Sequence, residues 1–158
     1  MKLYEYNDGG RAEAGYKGDT GDCVVRAIAI ATKKPYQDVY KQLYEMSDKS
    51  PRLGVKKKVY HTFLEQLGWV WTPTMKIGSG CKVHLIAWEL PEGRLICRLS
   101  KHLTAVIDGV VNDTHDCSRG GTRCVYGYYK KSDGWCDKCK DYCYHDYLCV
   151  DESEGGEI

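Results

Sequence analysis

The spacing of apolar residues changes character once along this chain, near Gly68. From Cys23 to Ala31 every position but Arg26 is apolar, and the run ends at Thr32-Lys33-Lys34. A segment apolar on almost all sides predicts a helix buried in the domain centre. Its β-branched residues leave a strand open, but its alanines and its length favour helix. Pro35 suits the first turn of a second helix, with Tyr36, Val39, Tyr40, Leu43 and Met46 on one stripe. A third helix is expected from about Val55 through Val59, Phe63, Leu64 and Leu67, stopped by Gly68. Beyond it, Trp69–Thr72, Arg94–Leu99, Leu103–Ile107, Val110–Asp113 and Cys124–Tyr129 read as strands between Gly, Pro and Asp breaks. Helices first and an antiparallel sheet second is an α+β arrangement. Residues 1–21 are polar and glycine-rich and predict an irregular arm.

Composition narrows the class. A chain of 158 residues suits one domain with a core of its own. Its 23 basic and 22 acidic residues leave a net charge of +1, which disfavours nucleic acid or a membrane surface as partner. The polar start, residues 1–11, has no signal-peptide pattern, and no apolar run approaches the ~20 residues of a membrane span. The expectation is a cytoplasmic protein. In that setting the nine cysteines predict free thiols, metal ligands or catalysis rather than disulfides.

One cysteine sits where chemistry is expected. Cys23 ends Gly18-Asp19-Thr20-Gly21-Asp22-Cys23 and opens the buried helix. Helix-start N–H groups and the helix dipole favour thiolate over thiol and can hold an oxyanion. The plain alternative is a small buried cysteine with no reactivity. Asp22 opposes a thiolate unless it caps the helix or points away.

Further on, Asp108-Gly109 is a strong two-residue hairpin signal. With that loop Ile107 faces Val110, so His102, Thr104, Asp113 and His115 share one face while Asn112 takes the other. His102 and Asp113 are then diagonal neighbours, ~7–8 Å apart at the backbone, a span their side chains can bridge. A three- or five-residue loop would select Asn112 instead, and a polar sheet edge would need no chemistry at all. Cys23 as nucleophile, His102 as base and acid, and Asp113 as orienting group make a cysteine-nucleophile site.

Gly21-Asp22-Cys23 before a buried helix, then His102-x-x-Ala105-Val106, then the turn and Asp113, resembles the papain-like cysteine peptidase superfamily over about Asp19 to Lys131. The short spacings are similar to those of compact bacterial and phage-encoded members. The stretches Trp71–Cys81 and Arg123–Tyr128 also resemble the phage proteins. The resemblance implies a papain-like catalytic domain over 1–131, with the nucleophile at the start of a central helix packed on the sheet. It further implies a phage-encoded hydrolase of amide, isopeptide or thioester bonds that acts on protein or peptide in the host cytoplasm, with no cofactor for catalysis. Papain-like enzymes commonly carry a glutamine shortly before the cysteine as oxyanion donor. Tyr16, Lys17, Asp19, Thr20 and Asp22 occupy that stretch here, so the Cys23 N–H with Thr20 or Lys17 are the candidate donors. Trp69, Trp71 and Trp88 are candidates for core or cleft.

The last cysteines form a group of their own. Cys136, Cys139, His145 and Cys149 have the spacing of a zinc knuckle with its histidine moved by one, and reading through Cys143 gives four thiolates. Either set could supply the soft ligands of a structural zinc site in a 132–150 extension. The alternative is a tail that merely carries thiols. Residues 151–158 are acidic and expected to be disordered. A rival to the enzyme is a non-catalytic binding module that engages a host protein or nucleic acid through this tail.

Overall fold

The computed structural model describes residues 2–17, 21–76 and 78–132, and the backbone of Trp135–Cys136 and Asp141–Tyr142. The described helices are α1 (Cys23–Thr32), α2 (Tyr36–Ser47) and α3 (Lys57–Gln66). The described strands are β1 (Tyr4–Tyr6), β2 (Trp69–Pro73), β3 (Val83–His84), β4 (Arg94–Leu99), β5 (His102–Ile107), β6 (Val110–Asp113), β7 (Cys124–Val125), β8 (Gly127–Lys131), β9 (Trp135–Cys136) and β10 (Asp141–Tyr142). The chain is mixed α+β.

Every residue of α1 from Val24 to Thr32 is buried, as an all-apolar helix demands. In α2 the buried positions are Tyr36, Val39 and Leu43, spaced three and four apart, while Met46 at the end of the expected stripe is exposed. The third helix starts at Lys57, two residues later than its apolar pattern suggests, and buries Tyr60, Phe63 and Leu64.

Six strands form one sheet in the order β1-β6-β5-β4-β8-β2. All neighbours are antiparallel except β1, which pairs parallel with β6. The first residues are therefore not wholly an irregular arm: Tyr4 lies against Val111 and Tyr6 against Asp113. The strand escapes sequence reading because it is three residues long and lies on an exposed edge, so it buries no alternating face. Side chains alternate across the sheet and both faces are covered. Ile96, Leu103, Ala105 and Tyr129 pack against the helices. Leu95, Cys97, Val106 and Val111 pack with Leu85, Leu90 and Val125 on the other side. Gly127 is needed in β8 because the Trp71 ring lies across it: a Cβ there would collide with the ring.

Cys81 and Cys124 are joined as a disulfide, against the expectation of free thiols. They lie 43 residues apart, and their meeting depends on the β3–β7 pairing, in which His84 opposes Cys124. Cys97 and Cys117 are buried free thiols, and Cys23 is half-buried.

Candidate active site

The Asp108-Gly109 loop closes β5 on β6 with φ of 48° and 81°, the positive values that a type I′ turn requires at both positions. It sets Ile107 against Val110, Val106 against Val111 and Ala105 against Asn112. His102, Thr104 and Asp113 consequently project from one face. His102 Nε2 and Asp113 Oδ2 are 2.8 Å apart, and the Thr104 hydroxyl donates to the same oxygen at 2.7 Å. Asn112 turns away: its amide nitrogen donates to the Val110 carbonyl and its oxygen accepts from Asn7. The His115 ring lies beside His102 with centroids 5.5 Å apart.

The other oxygen of Asp113 accepts from the Thr114 N–H at 2.7 Å and ion-pairs with Arg26 Nη1. Arg26 is the single charge in α1, and its Nε donates to Asp22 Oδ1 at 3.0 Å. Asp22 is fully buried and also accepts from Arg11 Nη1 at 3.3 Å and from the Tyr36 hydroxyl at 2.8 Å. It makes no capping bond to the helix. The carboxylate next to Cys23 is thus turned inward and neutralised, and its opposition to a thiolate is removed.

Cys23 opens α1 beside the start of β5 and interacts with the His102 ring and the Leu103 backbone. With Nε2 committed to Asp113, Nδ1 is the ring nitrogen left for the thiol. Burial works against charge at each of these groups, and their mutual contacts overcome it. For Cys23, burial favours the neutral thiol, but the hydrogen bond and charge of His102, the Leu103 backbone and the charge of Arg26 bring its pKa below that of an ordinary thiol. For His102, burial disfavours the cation, but hydrogen bonds with Asp113, Cys117 and Cys23 and the Asp113 charge push its pKa up to about 11. Burial likewise opposes charge on Asp113, yet His102, Thr104 and Arg26 hold it well below the usual carboxylate range. A thiolate–imidazolium pair backed by a carboxylate is the state these shifts favour.

Cys23 and His102 both line a cleft of about 410 Å³, whose walls include Tyr60, Arg98, Lys101 and Tyr126. Of the tryptophans considered for such a role, Trp69 is core, Trp88 is exposed and Trp71 packs against Tyr129; none lines this cleft. Lys17 is exposed, its carbonyl accepts from Arg52, and it is not among the lining residues. Thr20 lies outside the described residues, as do Cys139, Cys143, His145, Cys149 and the 151–158 tail, and of Cys136 only the backbone is described.

His102, Asp113 and Cys117 bring one nitrogen, one oxygen and one sulfur within 4.8 Å of each other, a grouping able to hold a metal ion. The two Asp113 oxygens already serve Arg26, His102, Thr104 and the Thr114 N–H, so an ion would have to displace protein donors. Arg26 and Cys117 are members of the site that sequence reading passed over. A lone charge inside an apolar helix is the one available signal for Arg26, since a buried guanidinium requires an acidic partner. Nothing local distinguishes Cys117 from a core cysteine.

Comparison of the chain with family models, with curated proteins and with solved structures finds no match.

Proposed function

We propose that this protein is a cysteine hydrolase with a papain-like arrangement, cleaving an amide, isopeptide or thioester bond in a protein or peptide. The observation that carries this reading is the His102–Asp113 pair at 2.8 Å, with His102 and Cys23 lining the same open cleft. The Cys23 thiolate attacks the substrate carbonyl carbon, and the oxygen that takes up the electron pair is stabilised by backbone N–H groups at the start of α1. The tetrahedral intermediate collapses as His102 passes its proton to the leaving group, which departs and leaves an acyl thioester on Cys23. His102, now neutral, removes a proton from water, whose oxygen attacks the thioester. Collapse of the second intermediate releases the acid and restores the thiolate and the imidazolium. Asp113 holds the ring in position throughout and offsets its charge.

We further propose that the protein is phage-encoded and acts in the host cytoplasm. A reducing cytoplasm would open the Cys81–Cys124 disulfide, and the β3–β7 pairing would keep the two thiols side by side. The described helices include none long and apolar enough to cross a membrane.

The test is the rate of iodoacetamide alkylation at Cys23 against pH, followed by peptide mapping. The thiolate is expected to react at pH values well below 7, and His102→Ala to return Cys23 to the profile of an ordinary thiol. A wild-type profile that rises only near pH 8 to 9 overturns the reading.

A further inference from the structure

The charges around the cleft are one-sided. Arg98 at the end of β4, Lys101 in the turn before His102 and Lys57 at the start of α3 all line it, and its described walls hold no carboxylate. Among the described residues none of the three cations lies within ion-pair distance of an acidic group. Arg98 is half-buried, and its guanidinium carbon sits 5.9 Å from the centre of the Tyr126 ring, an aromatic platform that orients the planar donor fork. Tyr60 ties this group to the nucleophile, since its hydroxyl is perturbed first by burial and then by the charges of both Arg98 and Cys23. Elsewhere the molecule treats arginines differently: Arg26 and Arg11 meet Asp22, and Arg94 meets the Ile30 and Ala31 carbonyls. A partly desolvated guanidinium whose donors meet no acceptor among the described residues, close to a reactive thiol, is equipped to take a carboxylate from a ligand.

We propose that the cleft selects substrates that carry a carboxylate near the scissile carbonyl, with Arg98 as the specificity-determining residue and Lys57 and Lys101 adding to the local field. The inference rests on the cysteine-hydrolase reading and names its substrate class. A carboxylate comes from an aspartate or glutamate side chain or from a free peptide C-terminus. Recognition is the same fork-to-carboxylate pairing in either case.

The test uses two alkylating probes of similar size, iodoacetate and iodoacetamide. In both reactions the Cys23 thiolate displaces iodide from the same carbon to form an S–C bond, and only iodoacetate brings a negative charge. The ratio of their rates at Cys23 is measured in the wild type, in Arg98→Glu and in Lys57→Glu/Lys101→Glu, at low and high salt. Reversing the charge of Arg98 is expected to lower the iodoacetate/iodoacetamide ratio about tenfold, the ratio cancelling any change in Cys23 nucleophilicity common to both probes. The lysine pair, being more exposed, is expected to lower it by less and to lose its effect as salt rises. A ratio unchanged in both variants overturns the inference even if Cys23 proves reactive. If Arg98→Glu fails to fold, Arg98→Gln is measured in its place, with a smaller fall in the ratio expected. Failure of the hydrolase reading looks different: Cys23 then lacks reactivity towards both probes at acidic pH. The Cys23→Ala variant, titrated by fluorescence anisotropy, assigns the source. Peptides with an internal glutamate and an amidated end should bind more tightly than their glutamine analogues, or peptides with a free C-terminus more tightly than their amides. Equal binding of all four overturns the proposal.

Discussion

Arg26, one turn into the helix that Cys23 opens, is ion-paired with Asp113, the carboxylate that holds His102. The same guanidinium holds Asp22 through Nε. One side chain therefore joins the nucleophile's helix to the sheet that carries the base, and it sets the charge balance on both.

Replacing Arg26 by methionine removes the counter-charge of two buried carboxylates while keeping much of the apolar volume. Breaking a buried pair in this way typically costs about 3–5 kcal/mol. Urea unfolding of Arg26→Met should show a loss of that order, and Asp22→Asn should recover part of it. A midpoint unchanged from wild type would mean the network contributes nothing to stability.

Asp113→Asn keeps the shape of the orienting group and removes its charge. The His102 pKa, about 11 in the native protein, should fall towards its ordinary value of 6.5. The alkaline limb of the pH–turnover profile moves down with it, because proton donation to the leaving group needs the imidazolium. Turnover of any substrate identified should drop by up to roughly 10⁴-fold, the loss seen when the carboxylate of a Ser-His-Asp triad is neutralised. An alkaline limb that stays in place in Asp113→Asn would remove Asp113 from its assigned role.

The same shifts make stability depend on pH with a defined sign. The folded-state pKa of His102 lies above its ordinary 6.5, so its contribution is complete below about pH 6.5 and is lost as pH rises towards 11. The folded-state pKa of Asp113 lies below its ordinary 3.8, so its contribution is present above that value and is lost as pH falls. The difference in urea midpoint between wild type and His102→Gln should therefore be largest between about pH 4 and 6.5 and shrink towards pH 11. A difference that is flat with pH would contradict the coupling of the two groups.

Gly127→Ala places a methyl group against the Trp71 ring. Overpacking of this kind costs about 1–3 kcal/mol. Thermal melts should show that loss together with a change in tryptophan emission, and the Trp71→Leu background should relieve only part of it, because the Thr72 carbonyl oxygen also lies 2.8 Å from the added methyl. If Gly127→Ala melts at the wild-type temperature, the ring does not hold glycine at this position.

Much of the fold is legible where the signal is local. The apolar run from Val24 to Ala31, interrupted only by Arg26, favours a buried helix, because its length and alanines suit one and burial keeps its sides from water. Asp108-Gly109 is a turn whose backbone few other residue pairs tolerate, and a two-residue loop fixes the side-chain alternation that turns Asp113 towards His102 and Asn112 away. That register is the largest part of the candidate site a reader of the sequence can derive.

What the chain folds into decided the rest, because those relationships join residues that no local rule connects. Asp113, the partner of Arg26 on the sheet, is 87 residues away, and the choice among several carboxylates is made by the packing of α1 on the sheet. The parallel pairing of β1, the meeting of Cys81 with Cys124 and the gathering of Lys57, Arg98 and Lys101 around one thiol depend in the same way on which elements become neighbours. Side-chain periodicity and turn chemistry act over a few residues and are written in order along the chain; burial, counter-charge and cleft lining are properties of the assembled core and arise only when it closes.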